Sequence, residues 1–288
     1  MNKTLAALAL LTFAGSALAT AEPESAPTLA PAAAHEGVRE LIQKATAQIK
    51  KDPQDWQLYL YRAQLYRMHE DWPEAHADLE VVRAAAPDDL ALVLEEAHLF
   101  QAQGQLLQAL QKTDQYHKLD VENARSWQLQ ARLYFALTKY QQAADAMQTA
   151  IPLFPTPEPD YFHFQAKALQ KLGPASLPKA LLCVKQGLTS IGACISLELL
   201  AVELETDLGM CEQAIARLDR LATSARRKES WLMHKAEVYW RCGKRRQAKR
   251  EYRAALNAIQ LLRPRTQNTP AVKKMKKLAQ QQLSKLGE

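Results

Sequence analysis

Apolar residues recur at helical spacing along most of the chain, and the pattern itself repeats. Ala75, Ala109, Ala143, Ala180, Ala214 and Ala248 form one column, with steps of 34, 34, 37, 34 and 34 residues. Ala63, Ala97, Ala131, Ala166, Ala201 and Ala236 form another, with steps of 34, 34, 35, 35 and 35. Large residues flank the latter column: Tyr59, Val93, Trp127, Phe162, Leu197 and Leu232 four positions before it, and Tyr66, Phe100, Tyr134, Leu169, Leu204 and Tyr239 three positions after it. Offsets of three and four put all of these on one helix face. A small residue between two large ones lets a neighbouring helix approach closely and lock between the flanks. A partner helix carries Leu79, Thr113, Met147, Val184, Leu218 and Tyr252, each four residues after its alanine. Between the two columns stand Gly104, Gly173, Gly209 and Gly243, where a helix end takes a left-handed residue. Pro53, Pro87 and Pro155 fall where a second helix must stop. The reading is an all-α chain of helix-turn-helix units with no sheet and thirteen or fourteen principal helices. The six units span residues 54–89, 90–123, 124–157, 158–193, 194–227 and 228–264.

A repeat of this length, with a large residue, then a small one, then Tyr or Phe, then Ala and finally Pro, resembles the tetratricopeptide repeat. The third unit is nearest to that pattern, with Trp127, Ala131, Tyr134, Ala143, Ala150 and Pro155. The fourth departs most, because its two alanines stand 14 residues apart and the stretch Gly173-Pro174-Ala175-Ser176-Leu177-Pro178 predicts a longer turn. The resemblance implies a right-handed superhelical solenoid in which the first helix of each pair lines a concave face. Such a stack needs capped ends, since each terminal unit otherwise exposes an apolar flank. Residues 36–53 supply a front cap, with Val38, Leu41, Ile42, Ala45 and Ile49 at helical spacing; residues 265–288 supply a basic rear cap, with Val272, Met275, Ala279, Leu283 and Leu286 on one face.

On the concave face this register places Gln64, Arg67, His98, Arg125, Gln128, Arg132, Phe135, His163 and Lys167 as the residues that bind a protein or peptide segment. The family's groove for a C-terminal carboxylate uses Asn and Lys in its early repeats, and Asn is missing from these positions. Arg132 and Lys167 occupy equivalent places in adjacent units and suit an acidic side chain. The same stacking brings the start of the second helix in unit five, at Cys211, to the end of the first helix in unit six, at Cys242. These two are read either as a disulfide or as small buried hydrophobes. Cys183 and Cys194 are badly placed for a bridge.

The ends of the chain add an address. Residues 1–21 carry Lys3, an apolar run from Leu5 to Phe13, and small residues ending in two A-x-A sites, which reads as a cleaved secretory signal peptide of bacterial proportions. Residues 22–35, rich in Pro and Ala, read as a flexible linker. The apolar run is too short to span a bilayer, so the expectation is a periplasmic protein without a transmembrane segment. With 48% hydrophobic and 24% charged residues, the chain is neither disordered nor collagen-like.

Signs of catalysis are lacking. The seven histidines form no HExxH, there is no P-loop, nucleophile elbow or G-x-G-x-x-G, and the four cysteines have no zinc spacing. The expectation is therefore a non-enzyme with no cofactor and no metal. Asp88-Asp89 and Glu95-Glu96 read as acids placed at or near a helix start. Charge is the remaining signal. Residues 217–288 hold 20 Lys and Arg against 5 Asp and Glu, whereas the preceding 216 hold 17 against 26. Lys244, Arg245, Arg246, Lys249 and Arg250 are the candidates for contact with an anionic surface. An exported chain rarely meets nucleic acid, so lipid headgroups, an acidic polysaccharide or an acidic protein fit better, and a merely solvated face is the plain alternative. Two functions follow. One is a periplasmic adaptor that holds a protein segment in its groove and supports an envelope assembly, such as secretion or polysaccharide export. The other is a binding module for an anionic surface.

Overall fold

Short polar side chains open the first helices of the early units. Asp55 accepts a hydrogen bond from the Gln57 N–H, Asp89 from those of Ala91 and Leu92, and Asn123 from that of Ser126, satisfying donors that a helix start leaves unpaired. The computed structural model describes residues 31–223 and 225–287, with side chains from residue 36 onward. The elements are α1 (Pro31–Lys51), α2 (Trp56–His69), α3 (Trp72–Ala85), α4 (Leu90–Ala102), α5 (Leu106–Leu119), α6 (Ala124–Ala136), α7 (Tyr140–Ala150), α8 (Pro159–Lys171), α9 (Leu177–Ile191), α10 (Ile195–Asp207), α11 (Cys211–Thr223), α12 (Glu229–Arg241), α13 (Arg245–Gln260), α14 (Pro264–Gln267) and α15 (Pro270–Lys285). Short 3₁₀ turns lie at Ile151–Leu153 and Pro174–Ser176, and no strand occurs among the described residues. The latter turn is the longer connection expected in unit four.

The signal segment and residues 22–30 lie outside the described residues. Helix α1 begins at Pro31, inside the stretch read as linker, because proline suits the first helical position and three alanines follow it. Each helix packs on the next as far as α13, which α15 covers. Among the first helices, α2 also touches α4, α4 touches α6 and α8 touches α10, so these line the inner side of an all-α solenoid. The alanine columns are the points of closest approach: Ala63, Ala75, Ala97, Ala109, Ala131, Ala143, Ala166, Ala180, Ala214, Ala236 and Ala248 are essentially without exposure.

Unit five differs from the expected register. In every unit the residue that ends the first helix has positive φ: Glu70, Gly104, Thr138, Gly173, Gly209 and Gly243. Five of these corners close with the same bond from the next N–H back to the carbonyl of Tyr66, Phe100, Tyr134, Glu205 or Tyr239. Glu205 therefore stands where four of the other units have an aromatic residue and unit four has Leu169, and the small-column position of unit five is Val202, not Ala201. Packing agrees. Val202 sits with Ala214, Ile215 and Leu218 of its own unit, whereas Leu197, Ala201 and Leu204 pack back onto unit four.

Glu95 and Glu96 also depart from expectation. They lie in the middle of α4, buried, with Glu95 bound to Arg67 and Glu96 to Arg83 and Lys112. Their burial is offset by ion pairs with neighbouring helices rather than by a helix N-terminus.

Candidate functional site

The corrected register defines the central row of the groove, one residue after each small position: Gln64, His98, Arg132, Lys167, Glu203 and Glu237. The row changes sign along its length. Lys167 donates to both carboxylate oxygens of Glu203 at 3.0 Å and to Gln170 at 3.0 Å. Gln170 in turn donates to Glu203 and Asp207, and Asp207 also binds Arg241. Three successive first helices, α8, α10 and α12, are thus tied across the groove floor. Burial pushes the Glu203 carboxyl up, but Gln170, Lys167 and Arg241 together hold it below the usual carboxylate range. Glu237 accepts a hydrogen bond from Tyr252 at 3.0 Å.

Earlier in the groove Arg67 is occupied by Glu95. His98 is half-buried, and burial, followed by the charge of Arg67, lowers its pKa to about 4 against a weaker opposing hydrogen bond with Gln101; Arg132 adds a smaller push in the same direction. His163 is lowered for the same reasons, burial first and Lys167 next. Both imidazoles are therefore neutral hydrogen-bonding groups at pH 7. Phe135 lies 5.2 Å from both Phe164 and Tyr140, ring centre to ring centre. Gln64 and Gln128 are half-buried.

Arg125 and Arg132 stand apart. Both are exposed on α6 and form no ion pair with any described residue, in contrast to Arg67, Lys167 and Arg241. Unit three thus offers two free guanidinium groups on one helix, seven residues apart and so on one face, with Gln128 between them and Phe135 beyond. Such a surface can hold a carboxylate by paired N–H donors.

Sequence reasoning missed Glu203 and Asp207 of unit five as groove residues. A signal was present, because Gly209 follows Ala201 by eight residues where the other corner glycines follow their alanine by seven.

At the basic end, Lys244 binds Glu212, Lys249 donates to the Gly287 carbonyl, Arg250 pairs with Glu251 at 2.9 Å, and Arg245 lies 5.8 Å over the Trp240 ring. Arg246 is exposed with no such partner. Cys211 and Cys242 are joined by a disulfide, with Cα atoms 6.3 Å apart. Cys183 is a free thiol buried against Gln165, and burial pushes its pKa up to about 12; Cys194 is free near the start of α10. Among the described residues no three His, Cys, Asp or Glu side chains group to hold a metal, and no helix is long and apolar enough to cross a membrane.

No protein-family model matches the sequence, and no curated protein matches it. Solved structures do resemble it. The C-terminal part of a TPR repeat-containing protein from Cytophaga hutchinsonii superposes with a TM-score of 0.64 at 16% identity, over 84% of this chain and 95% of that one. The structure of Naa15/Naa10 bound to HypK-THB gives 0.51 at 15% identity, over 77% of this chain and 34% of that one. A tetratricopeptide repeat protein from Parabacteroides merdae gives 0.49 at 13% identity, over 86% and 94%. The fold is that of the tetratricopeptide repeat solenoids.

Proposed function

We propose that this chain is a non-catalytic adaptor of the bacterial periplasm, exported by a cleaved signal peptide. It holds an acidic segment of a partner protein in its concave groove and supports an envelope assembly such as a secretion or polysaccharide-export machine. The observation that carries the reading is the pair Arg125 and Arg132, cations of the inner face without an internal carboxylate. Beside them Gln128 supplies a donor and acceptor, and Phe135 an apolar contact, so a segment with acidic residues followed by a hydrophobic one is the complementary ligand. The Cys211–Cys242 disulfide supports the compartment, because such bonds persist where the surroundings oxidise.

An immobilised array of acidic, neutral and basic peptides, probed with the purified chain and with an R125E/R132E variant, tests the groove. Acidic peptides are expected to be retained by the parent and weakened at least roughly tenfold by the variant. Equal retention overturns the assignment. A fusion of residues 1–35 to a reporter that is active only after export tests the address, and an inactive fusion overturns it.

A further inference from the structure

We propose that the corner formed by α13, α14 and α15 is a docking surface for an anionic lipid bilayer. It is separate from the groove, and neither reading rests on the other. The first observation is charge. Between Tyr252 and Gly287 the chain has eight basic residues and no acidic one: Arg253, Arg263, Arg265, Lys273, Lys274, Lys276, Lys277 and Lys285. All eight are exposed, and none forms an ion pair or hydrogen bond with another described residue. Just upstream the charge is partly compensated, for three of the six cations between Arg241 and Arg250, namely Arg241, Lys244 and Arg250, have a carboxylate partner. A terminal helix that needs only solubility is served by mixed signs. Here like charges crowd one end of the solenoid, a cost that an external anionic partner removes.

The second observation is an apolar tip. Leu261 is 88% exposed, the most exposed of the large hydrophobic side chains among the described residues, and it stands at the end of α13. Arg263 and Arg265 follow it directly. Helix α15 then runs back along α13, as the bond from Lys249 to the Gly287 carbonyl shows. Lys273 and Lys274, in the first turns of α15, therefore lie at the same end of the pair as Leu261. A soluble polysaccharide or a nucleic acid has no use for a bare leucine among cations. A bilayer has, because the leucine enters the boundary between headgroups and acyl chains while long basic side chains reach lipid phosphates around it. Each cation near an anionic surface contributes roughly a fivefold gain in partitioning, so the four at the Leu261 end of the pair act as a substantial electrostatic anchor.

Sedimentation of the full chain with phosphatidylglycerol-containing and pure phosphatidylcholine vesicles tests this, beside L261Q and an R263Q/R265Q/K273Q/K274Q variant. All five positions are exposed or border solvent, and far-UV circular dichroism verifies that each variant is folded. The parent is expected to sediment with anionic vesicles only. The quadruple variant is expected to lose at least roughly a hundredfold in partitioning. L261Q is expected to lose several-fold, with the loss persisting at high salt, where the charge contribution is screened. A parent that stays in the supernatant, or a quadruple variant that sediments like it, overturns the proposal. So does L261Q matching the parent on vesicles. Binding of parent and L261Q alike to soluble dextran sulfate, without vesicle binding, replaces the bilayer by a polyanion.

Discussion

At the six corners between paired helices the backbone requires positive φ, yet only four carry glycine. Glu70 sits at φ 68° and Thr138 at 59°. A β-branched residue there is strained by its Cβ, and Thr138 is exposed and its side chain forms no hydrogen bond, its backbone N–H alone bonding to the Phe135 carbonyl. Thr138→Gly is therefore expected to stabilise the protein by up to about 1 kcal/mol, relief of strain exceeding the extra entropy of glycine, read as a higher midpoint in urea unfolding. A glycine pattern alone marks four corners, and the other two follow only from the periodicity around them. His98 gives a second residue-scale expectation. Its folded pKa, lowered to about 4 by burial and then by Arg67, lies below the ordinary 6.5. The unfolded chain thus takes up a proton first as pH falls, so this contribution to stability is complete above about pH 6.5 and is lost toward pH 4. NMR titration of the His98 ring is expected to show protonation near pH 4, and a midpoint near 6.5 contradicts the burial described.

Between helices, polar residues meet at a recurring level. Arg62, one position before the small column, binds Asp78 through two 2.7 Å hydrogen bonds and lies 5.6 Å from the rings of both Tyr59 and Tyr66. In unit two Glu96 takes that place opposite Lys112. Unit five reverses the geometry: Arg217 reaches from α11 between Glu198 and Glu205, the two positions that are aromatic in unit one. This is why an alanine search misplaced α10. It followed Ala201 with Leu197 and Leu204, an apolar trio that packs on unit four, while the true flanks are carboxylates neutralised by a residue of another helix. Arg217→Met leaves Glu205, with 3% side-chain exposure, without its partner. The expected cost is about 3–5 kcal/mol, measured by chemical denaturation, with recovery when E198L and E205Y restore apolar flanks. A loss under about 1 kcal/mol counts against the register described.

Across the whole molecule, stability is built from neighbour contacts, so a local change has a local reach. The Cys211–Cys242 disulfide joins α11 to the end of α12, across 31 residues, and two ion pairs, Arg241 with Asp207 and Lys244 with Glu212, cross the same boundary. Cys211→Ser with Cys242→Ser is expected to destabilise units five and six by about 2–4 kcal/mol. Hydrogen exchange should quicken in α10–α15 and remain unchanged in α2–α5. Uniform quickening along the chain contradicts a stack coupled only between neighbours.

Repeat number, helix pairing, both caps and the long turn of unit four were legible in one dimension, because a period of about 34 residues and the spacing of small and large side chains are properties of the chain itself. That Arg125 and Arg132 share one face of a first helix was legible for the same reason. Which cations stay free was not. Arg67, Lys167, Lys244 and Arg250 read as binding residues until Glu95, Glu203, Glu212 and Glu251 arrive beside them. All but the last come from a different helix. Composition and periodicity record how many charges a chain has and on which face they lie. For Arg67, Lys167 and Lys244, neutralisation depends on distances between residues some 30 positions apart, and those distances exist only after the helices stack.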